Sequence, residues 1–381
     1  MKTRVNSKEV FDAMMLVKNI ATNSKHLPIL THCLVEADGG TTTITMTDLE
    51  VSVRLSFNSQ TIESGVCTLP VKEFMNTLRG KTGLVTLTSE TKEDPNFPAK
   101  DSCNRCPQFV YKTTLTFDSG LSASWSGVAP SDFPVWQDVA DITTTEVAAA
   151  ELVNCINRVS FAAFNADSGF NLEGVLIEKN ENQTRFVATD GHRLALIDSD
   201  IQIPIFDKLI APKSGLLLLG KFLTKNKGNI QVGFDRKNMV VYSGDNIMTI
   251  RLIEGDYPDY LRVIPTDSPA KEVVVDRGAL LIAMNELKPM TSDRYQGVNI
   301  QLNGSILISA NNPDKGEMSM TVDCNSTHGH EIVDLIMNRV YMVDALANSK
   351  SSEITITYYK EGAPLQFMAP DHWSIVMPMR S

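Results

Sequence analysis

Phe186-Val187-Ala188-Thr189-Asp190-Gly191-His192-Arg193-Leu194-Ala195-Leu196 is the stretch on which the reading of this chain turns. Val187 on one side, and Leu194 and Leu196 on the other, are strand residues, and Asp190-Gly191 between them is a hairpin-turn signal. Turn chemistry accounts for Asp190 and Gly191, since both residue types tolerate φ > 0. It leaves unexplained why His192 and Arg193 follow at once. On turn chemistry alone they are polar residues at a solvated strand start.

The surroundings repeat. Val10, Phe11, Met14, Val17 and Ala21 recur at helical spacing after Ser7, a good N-cap. Period-two runs follow at Cys33–Val35, Ile44–Met46 and Val51–Phe57, with Gly39-Gly40 as a turn, and read as an antiparallel meander with one buried face. Pro70 opens a short helix to about Leu78, and strands are expected at Leu84–Thr88, Thr113–Phe117 and Leu121–Trp125. The order returns with helices near Ala148–Ala163 and Leu216–Leu223, separated by strands at Asn171–Ile177, Arg185–Thr189 and Arg193–Asp198. Further strands are expected at Ile230–Phe234, Met239–Tyr242 and Met248–Leu252. A third round begins with a helix near Arg277–Leu287 and ends with strands at Ile354–Tyr358, Leu365–Met368 and Ser374–Met377.

Asp48, Asp190 and Asn312 mark equivalent turns, about 142 and then about 122 positions apart. Ser131-Asp132-Phe133-Pro134 and Gly255-Asp256-Tyr257-Pro258 close two rounds about 124 apart. The longer first interval needs an insertion, and Ser89–Lys112 supplies it as a loop. The pattern predicts an α+β chain of three tandem helix-and-antiparallel-sheet units at 1–135 (with the insertion 89–112), 136–260 and 261–381.

Composition narrows the class. A hydrophobic fraction of 43% and a charged fraction of 21% fit a globular chain. No apolar run reaches a membrane span and residues 1–6 form no signal peptide, so a cytoplasmic protein without a membrane partner is expected. Cys33, Cys67, Cys103, Cys106, Cys155 and Cys324 are scattered, which suits reduced thiols. The net charge of −10 argues against tight phosphate binding, although it is compatible with DNA held by enclosure.

Several constellations exclude more than they assign. Gly215–Lys221 fits most of a phosphate-binding loop, but Phe222 stands where the Mg²⁺-binding hydroxyl belongs, and the four leucines look like helix core. Cys103 and Cys106 lack a second cysteine pair or paired histidines nearby, so the insertion reads as a plain loop with no metal. His26, His32, Cys33 and Cys67 could approach only through folding. His192 with Asp190 could be drawn as an acid–base pair, yet no nucleophile motif accompanies it, and His328 and His330 are isolated. Lys208, Lys213, Lys221, Lys225 and Lys227 run without a carboxylate among them, as either a phosphate-facing set or a solvated basic face.

Further motifs bring a family into view. Gly255-Asp256-Tyr257-Pro258-Asp259-Tyr260 with Arg262-Val263-Ile264-Pro265, Ala310-Asn311-Asn312-Pro313, and the tail Val376-Met377-Pro378-Met379-Arg380 join the Asp190 stretch in order. Together they resemble the bacterial sliding clamps, the beta subunits of the replicative DNA polymerase. Matches run from Leu27-Pro28-Ile29-Leu30 to the last residue, where Ser381 departs from the family's usual Leu.

The resemblance implies three copies of the DNA-clamp domain, each with two helices on antiparallel sheets, and a head-to-tail homodimer closed into a ring. It implies a non-catalytic processivity factor, without cofactor, that encircles double-stranded DNA near the nucleoid. The replicative polymerase, an ATP-dependent clamp loader and other proteins carrying clamp-binding motifs would be its partners. The peptide pocket would comprise Leu172, Thr189, Gly191, His192, Arg193 and Leu194, then Pro258, Arg262 and Val263. Ile375, Met377, Pro378, Met379 and Arg380 of the tail would complete it, as an adaptable apolar groove. Lys25, Arg79, Arg158, Lys213, Lys221, Lys225 and Lys227 would face DNA, with Lys18, Lys72 and Arg277 as further candidates. Ala123 and Trp125 would meet Pro289 and Met290 across the dimer. The competing readings are a hydrolase using His192 and Asp190, and a peptide-binding scaffold that never touches DNA.

Overall fold

The computed structural model describes residues 1–21, 27–93, 109–136, 142–164, 171–205, 207–292, 295–329, 331–370 and 372–379. Lys25, His26, Cys103, Cys106, His330, Arg380 and Ser381 lie outside the described residues.

Three rounds of elements follow one another. The first is β1 (Lys2–Asn6), α1 (Ser7–Val17), β2 (His32–Asp38), β3 (Thr41–Thr47), β4 (Val51–Asn58), β5 (Gln60–Glu63), β6 (Gly65–Pro70), α2 (Val71–Leu78), β7 (Leu84–Glu93), β8 (Phe109–Phe117) and β9 (Ser122–Gly127). The second is β10 (Thr144–Ala148), α3 (Ala149–Ser160), β11 (Gly174–Asn180), β12 (Gln183–Thr189), β13 (Arg193–Ser199), β14 (Lys208–Pro212), α4 (Lys213–Phe222), β15 (Asn229–Phe234), β16 (Asn238–Ser243) and β17 (Asn246–Arg251). The third is β18 (Lys271–Asp276), α5 (Arg277–Glu286), β19 (Gly297–Leu302), β20 (Ser305–Asn312), β21 (Gly316–His328), β22 (Val333–Asn338), α6 (Arg339–Ala347), β23 (Glu353–Tyr358), β24 (Leu365–Ala369) and β25 (His372–Val376). Apart from the additional β5, each round reads strand, helix, four strands, helix, three strands.

The chain divides into two compact units, Met1–Ala150 with Ser214–Leu252, and Glu151–Lys213 with Ile253–Ser381, so the middle round is shared between them. The first unit holds a five-stranded sheet, β5-β1-β7-β8-β9, and an eight-stranded sheet, β10-β15-β16-β17-β4-β3-β2-β6. In the latter β17 pairs antiparallel with β4, placing Thr249 opposite Ser52. The second unit holds a twelve-stranded sheet, β14-β11-β12-β13-β25-β24-β23-β18-β21-β20-β19-β22. There β13 pairs antiparallel with β25, placing Leu194 opposite Ile375.

Helices bury one stripe each. Val10, Met14 and Val17 of α1 and Val71, Phe74, Met75 and Leu78 of α2 are buried, as i, i+3/i+4 spacing requires. The cap of α1 is Asn6, not Ser7. The Asn6 side chain accepts from the Lys8 and Glu9 amides, whereas the buried Ser7 hydroxyl donates to the Gly83 carbonyl at 3.0 Å. In α4 only Leu216 and Leu219 of the four leucines are buried, while Leu217 is exposed, because a helix turns consecutive residues to different faces.

The insertion is also corrected: its described ends are strand rather than loop. β7 and β8 stay paired out to Glu93 opposite Phe109, so residues 89–93 and 109–112 extend a hairpin. In the third round α6 takes a stretch with no expected element. Asn338 caps it by accepting from the Val340 and Tyr341 amides, and Met342, Ala345 and Leu346 are buried.

Candidate functional site

The turn between β12 and β13 is built on the side chain of Asp190. Its Oδ1 accepts the amides of His192 (3.0 Å) and Arg193 (3.1 Å), and the Thr189 hydroxyl oxygen accepts the Gly191 amide at 3.1 Å. Only Gly191 has positive φ, at 86°. Asp190 is therefore there as an acceptor and not for left-handed backbone. His192 is left exposed at the tip.

Arg193 turns inward and is 7% exposed. Its Nε donates to Asp190 Oδ2 at 2.9 Å, Nη1 to Asp344 Oδ2 on α6, and Nη2 to the Phe161 carbonyl at 2.7 Å. The guanidinium also lies 4.3 Å from the centre of the Tyr341 ring. A planar fork with several donors suits this simultaneous tie, which a point-charge ammonium could not make. Arg193 thus fastens the turn to α6. Both Asp190 oxygens are occupied by this work, so the carboxylate does not orient the His192 ring, and the acid–base pair of the hydrolase reading has no geometry.

Tyr257 and Tyr260 cover the sheet beside the turn. The Thr189 amide donates to the Tyr257 hydroxyl at 3.0 Å, and the Tyr260 hydroxyl donates to Glu178 while receiving Arg185 Nη1 at 3.3 Å. Burial, and then the hydrogen bond to Glu178, push Tyr260 up to about 12. The two rings pack with Leu176, Val187, Leu194, Leu196, Ile210 and Ile375, and Leu172 leans on this cluster. Leu194 and Ile375 are buried in it, while Pro258, Arg262 and Val263 stand exposed.

The tail leaves β25 extended. The Met377 amide donates to the His192 carbonyl at 2.8 Å and the Met379 amide to the Ile336 carbonyl at 2.7 Å. Two cavities flank it. One, of about 510 Å³, is lined by Gly191, His192, Asn338, Tyr341, Met377, Pro378 and Met379. The other, of about 730 Å³, lies between Asn299–Ile300, Asp334–Ile336, Glu361–Gly362 and the same three tail residues. The first cavity brings together Gly191, His192, Met377, Pro378 and Met379 of the expected pocket. Thr189 and Arg193 support the turn from behind. Asn338 and Tyr341 escaped sequence reasoning along with α6; the Asn338 cap ahead of the buried stripe Met342, Ala345 and Leu346 was the available signal.

The basic set is less uniform than its sequence. Lys208 reaches Asp256 at 4.0 Å and Lys225 reaches Asp12 at 3.7 Å. Lys213 donates to the Ala163 carbonyl at 3.0 Å, and burial together with neighbouring Arg193 holds it below the usual lysine range. Arg158 is half-buried, and Arg79, Lys221 and Lys227 are exposed. Only Lys213 and Lys221 lie on α4, so the lysines do not share one helix face. Ala123 and Trp125 sit half-buried on β9, an edge strand paired only with β8 among the described residues. Met290 packs partly into the core beside exposed Pro289, whose carbonyl accepts Lys315 Nζ at 3.0 Å. Cys33, Cys67, Cys155 and Cys324 are free thiols, and burial pushes Cys67 up to about 11. Among the described residues, no three His, Cys, Asp or Glu side chains form a metal cluster, and no helix is long and apolar enough to cross a membrane.

Comparison with known proteins adds an independent finding. Models of the DNA polymerase III beta subunit match its N-terminal domain at residues 1–94, its central domain at 146–259 and its C-terminal domain at 261–380. The beta sliding clamp of Pseudomonas aeruginosa is 28% identical over 375 residues, covering 96% of each chain. The beta sliding clamp of Escherichia coli K12 is 26% identical over 390 residues, covering all of both. The crystal structure of the P. aeruginosa clamp bound to griselimycin superposes over all of both chains with a TM-score of 0.85 at 26% identity.

Proposed function

Because the chain belongs to the beta-subunit family of DNA polymerase III, the beta sliding clamps, we propose that its groove at His192 docks short linear peptides of its protein partners. The family is a non-catalytic processivity factor, and the chain is built of its three clamp domains. DNA, the polymerase and a second copy of the chain are partners that go with this membership. We set the domain limits at 1–135, 136–260 and 261–381.

The observation that carries the docking reading is the cavity of about 510 Å³ between the His192 turn and the Met377–Met379 tail, lined also by Tyr341 of α6 and by Asn338, which caps that helix. Methionine and proline on one wall give an adaptable apolar surface, and Asn338 and His192 give polar groups that fix peptide orientation. Leu172, Thr189, Leu194, Pro258, Arg262, Val263, Ile375 and Arg380 complete the proposed site around it. Other replication and repair proteins with similar motifs would use the same groove.

Two copies would join head to tail into a ring, with β9, carrying Ala123 and Trp125, set against the third domain near Pro289 and Met290. Arg79, Lys221 and Lys227, with Lys25, Arg158, Lys213 and Lys225, would make loose phosphate contacts that permit sliding. An ATP-dependent loader would open the ring, and the protein would work in the cytoplasm at the nucleoid.

The test is Met377→Ala with Met379→Ala. Calorimetric titration with a short hydrophobic peptide from the partner polymerase should lose about 2 kcal/mol of affinity, the scale of anchor contacts. Sedimentation should still give a dimer, and retention on nicked circular DNA after loading should be unchanged. Undiminished peptide affinity with an intact dimer would remove the groove assignment.

A further inference from the structure

We propose that the first compact unit carries a second peptide-docking pocket, built on the same backbone frame as the His192 groove but lined for an acidic segment. The side-chain-capped turn and the tie to its neighbouring strand are repeated. Asp48 Oδ1 accepts the amides of Glu50 (3.0 Å) and Val51 (2.6 Å), as Asp190 does those of His192 and Arg193. The Leu49 amide donates to the Thr47 hydroxyl oxygen at 3.0 Å, as Gly191 does to Thr189. The Arg251 amide donates to the Glu50 carbonyl at 2.7 Å, as Met377 does to His192. The β4–β17 and β13–β25 pairings align accordingly, with Ile250 opposite Val51 and Val376 opposite Arg193. In the matching motifs Ser131–Trp136 and Gly255–Tyr260, Phe133, 4% exposed, takes the sequence position of Tyr257, and Trp136 that of Tyr260.

The lining differs in kind. At the positions of the apolar cluster Val187, Leu194, Leu196 and Ile375, the first unit has Thr45, Ser52, Arg54 and Thr249. A cavity of about 280 Å³ opens on this face, bordered by Thr45, Thr47, Glu50, Trp136, Lys237 and Arg251 among others. Lys237 and Arg251 are exposed and have no ion pair among the described residues, in a chain whose net charge is −10. The Thr249 hydroxyl, shielded from solvent, has no hydrogen-bond partner among the described residues. Arg54 lies 4.7 Å from the centre of the ring of Trp136, which lines the cavity.

Leu49 adds a separate sign. It holds φ at +77° where the other turn has glycine, and its side chain is about half exposed beside the cavity. A branched side chain kept in left-handed backbone at a cavity edge is the kind of strain that accompanies binding surfaces. Two cations against one glutamate, with hydroxyls in place of aliphatic groups, select an extended peptide bearing carboxylates. Leu49, Phe133, Pro134, Val135 and Trp136 also line the cavity, so it is the two cations that set its peptide apart from the one proposed at His192.

The peptide class rests on the docking reading of the His192 groove, so the experiment reads both sites in the same dimer. Hexaglutamate peptide is titrated calorimetrically into the full protein, with hexaglutamine as the neutral control, and the hydrophobic polymerase peptide is titrated in parallel. Lys237→Ala with Arg251→Ala should weaken hexaglutamate by about tenfold or more and leave the hydrophobic peptide unchanged. Glu50→Gln should tighten hexaglutamate, since an opposing charge is removed. Met377→Ala with Met379→Ala should do the reverse of the cation pair, sparing hexaglutamate. No saturable hexaglutamate binding, equal binding of hexaglutamine, or affinity indifferent to Lys237 and Arg251 would overturn the proposal without touching the His192 groove.

Discussion

Replacing Arg193 by Ala tests whether the groove depends on a residue that does not line it. The guanidinium side chain is 7% exposed and its partners Asp190 and Asp344 are 9% and 32% exposed. Removing it strands the Asp190 carboxylate and the Phe161 carbonyl, and breaking a buried pair from one side costs about 3–5 kcal/mol. Asp190 Oδ1 keeps its two backbone donors, which continue to stabilise the anion. The expected loss is therefore at the low end, about 3 kcal/mol. Asp344→Ala removes the more exposed partner and should cost about 1 kcal/mol. Arg193→Lys should recover little, because one ammonium cannot reach Asp190, Asp344 and Phe161 together.

A chain of three domains need not unfold in one step, so the assay is amide hydrogen exchange rather than a global midpoint. The informative amides are His192 and Arg193, held by Asp190, and Met377, held by His192. In Arg193→Ala their protection should fall by the full local amount, and affinity for the hydrophobic peptide should fall with it. Protection within about 0.5 kcal/mol of the parent, or full rescue by Lys, would refute the idea that a fork-shaped tie holds the turn to α6.

Two other expectations follow from particular contacts. Replacing residues 94–108 by a short Asn-Gly turn should leave stability within about 0.5 kcal/mol and the dimer intact, because Glu93 already pairs with Phe109 and closure cost grows slowly with length. Stoichiometric zinc in the parent, with unfolding on chelation, would contradict this. For Tyr260, a folded value of about 12 lies above the unfolded value of about 10. Its contribution is fully present below pH about 10 and is lost as pH rises towards about 12. Tyr260→Phe should thus flatten the fall in unfolding midpoint over that window, and a fall of unchanged steepness would argue against it.

What could be read in the sequence was whatever local physics enforces. Strands β2 to β4 and β11 to β13 bury alternate or continuous aliphatic runs, and the Asp48 and Asp190 turns need a side-chain acceptor at one position. α6 was missed because Val340, Tyr341 and Val343 mimic a strand, and with it went Asn338 and Tyr341 of the groove. The tie of Arg193 to α6 had no local signal, because Asp344 is 151 positions away, although Asp190 holds its Nε from three residues off. Likewise the ion pairs of Lys208 and Lys225 come from Asp256 and Asp12, so a run without carboxylates in sequence is partly neutralised in space.

The rounds also obey a pairing rule that carries past the single chain. The strand following the first round's turn, β4, pairs with the last strand of the second round, β17. The strand following the second round's turn, β13, pairs with the last strand of the third, β25. By the same rule β21, which follows the Asn312 turn, calls for the last strand of a first round, β9. Residues 316–323 of β21 pair only with β20 among the described residues, and β9 pairs only with β8. Each therefore offers one open edge, a feature that folded proteins ordinarily cover. In the proposed head-to-tail dimer each β9 would lie against the other copy's β21, and both edges would be covered. The Asn312 side chain and Lys315 bind the Met290 and Pro289 carbonyls, which puts those residues beside the open stretch of β21. The repeat of the turn thus supports the proposed contact between β9 and β21.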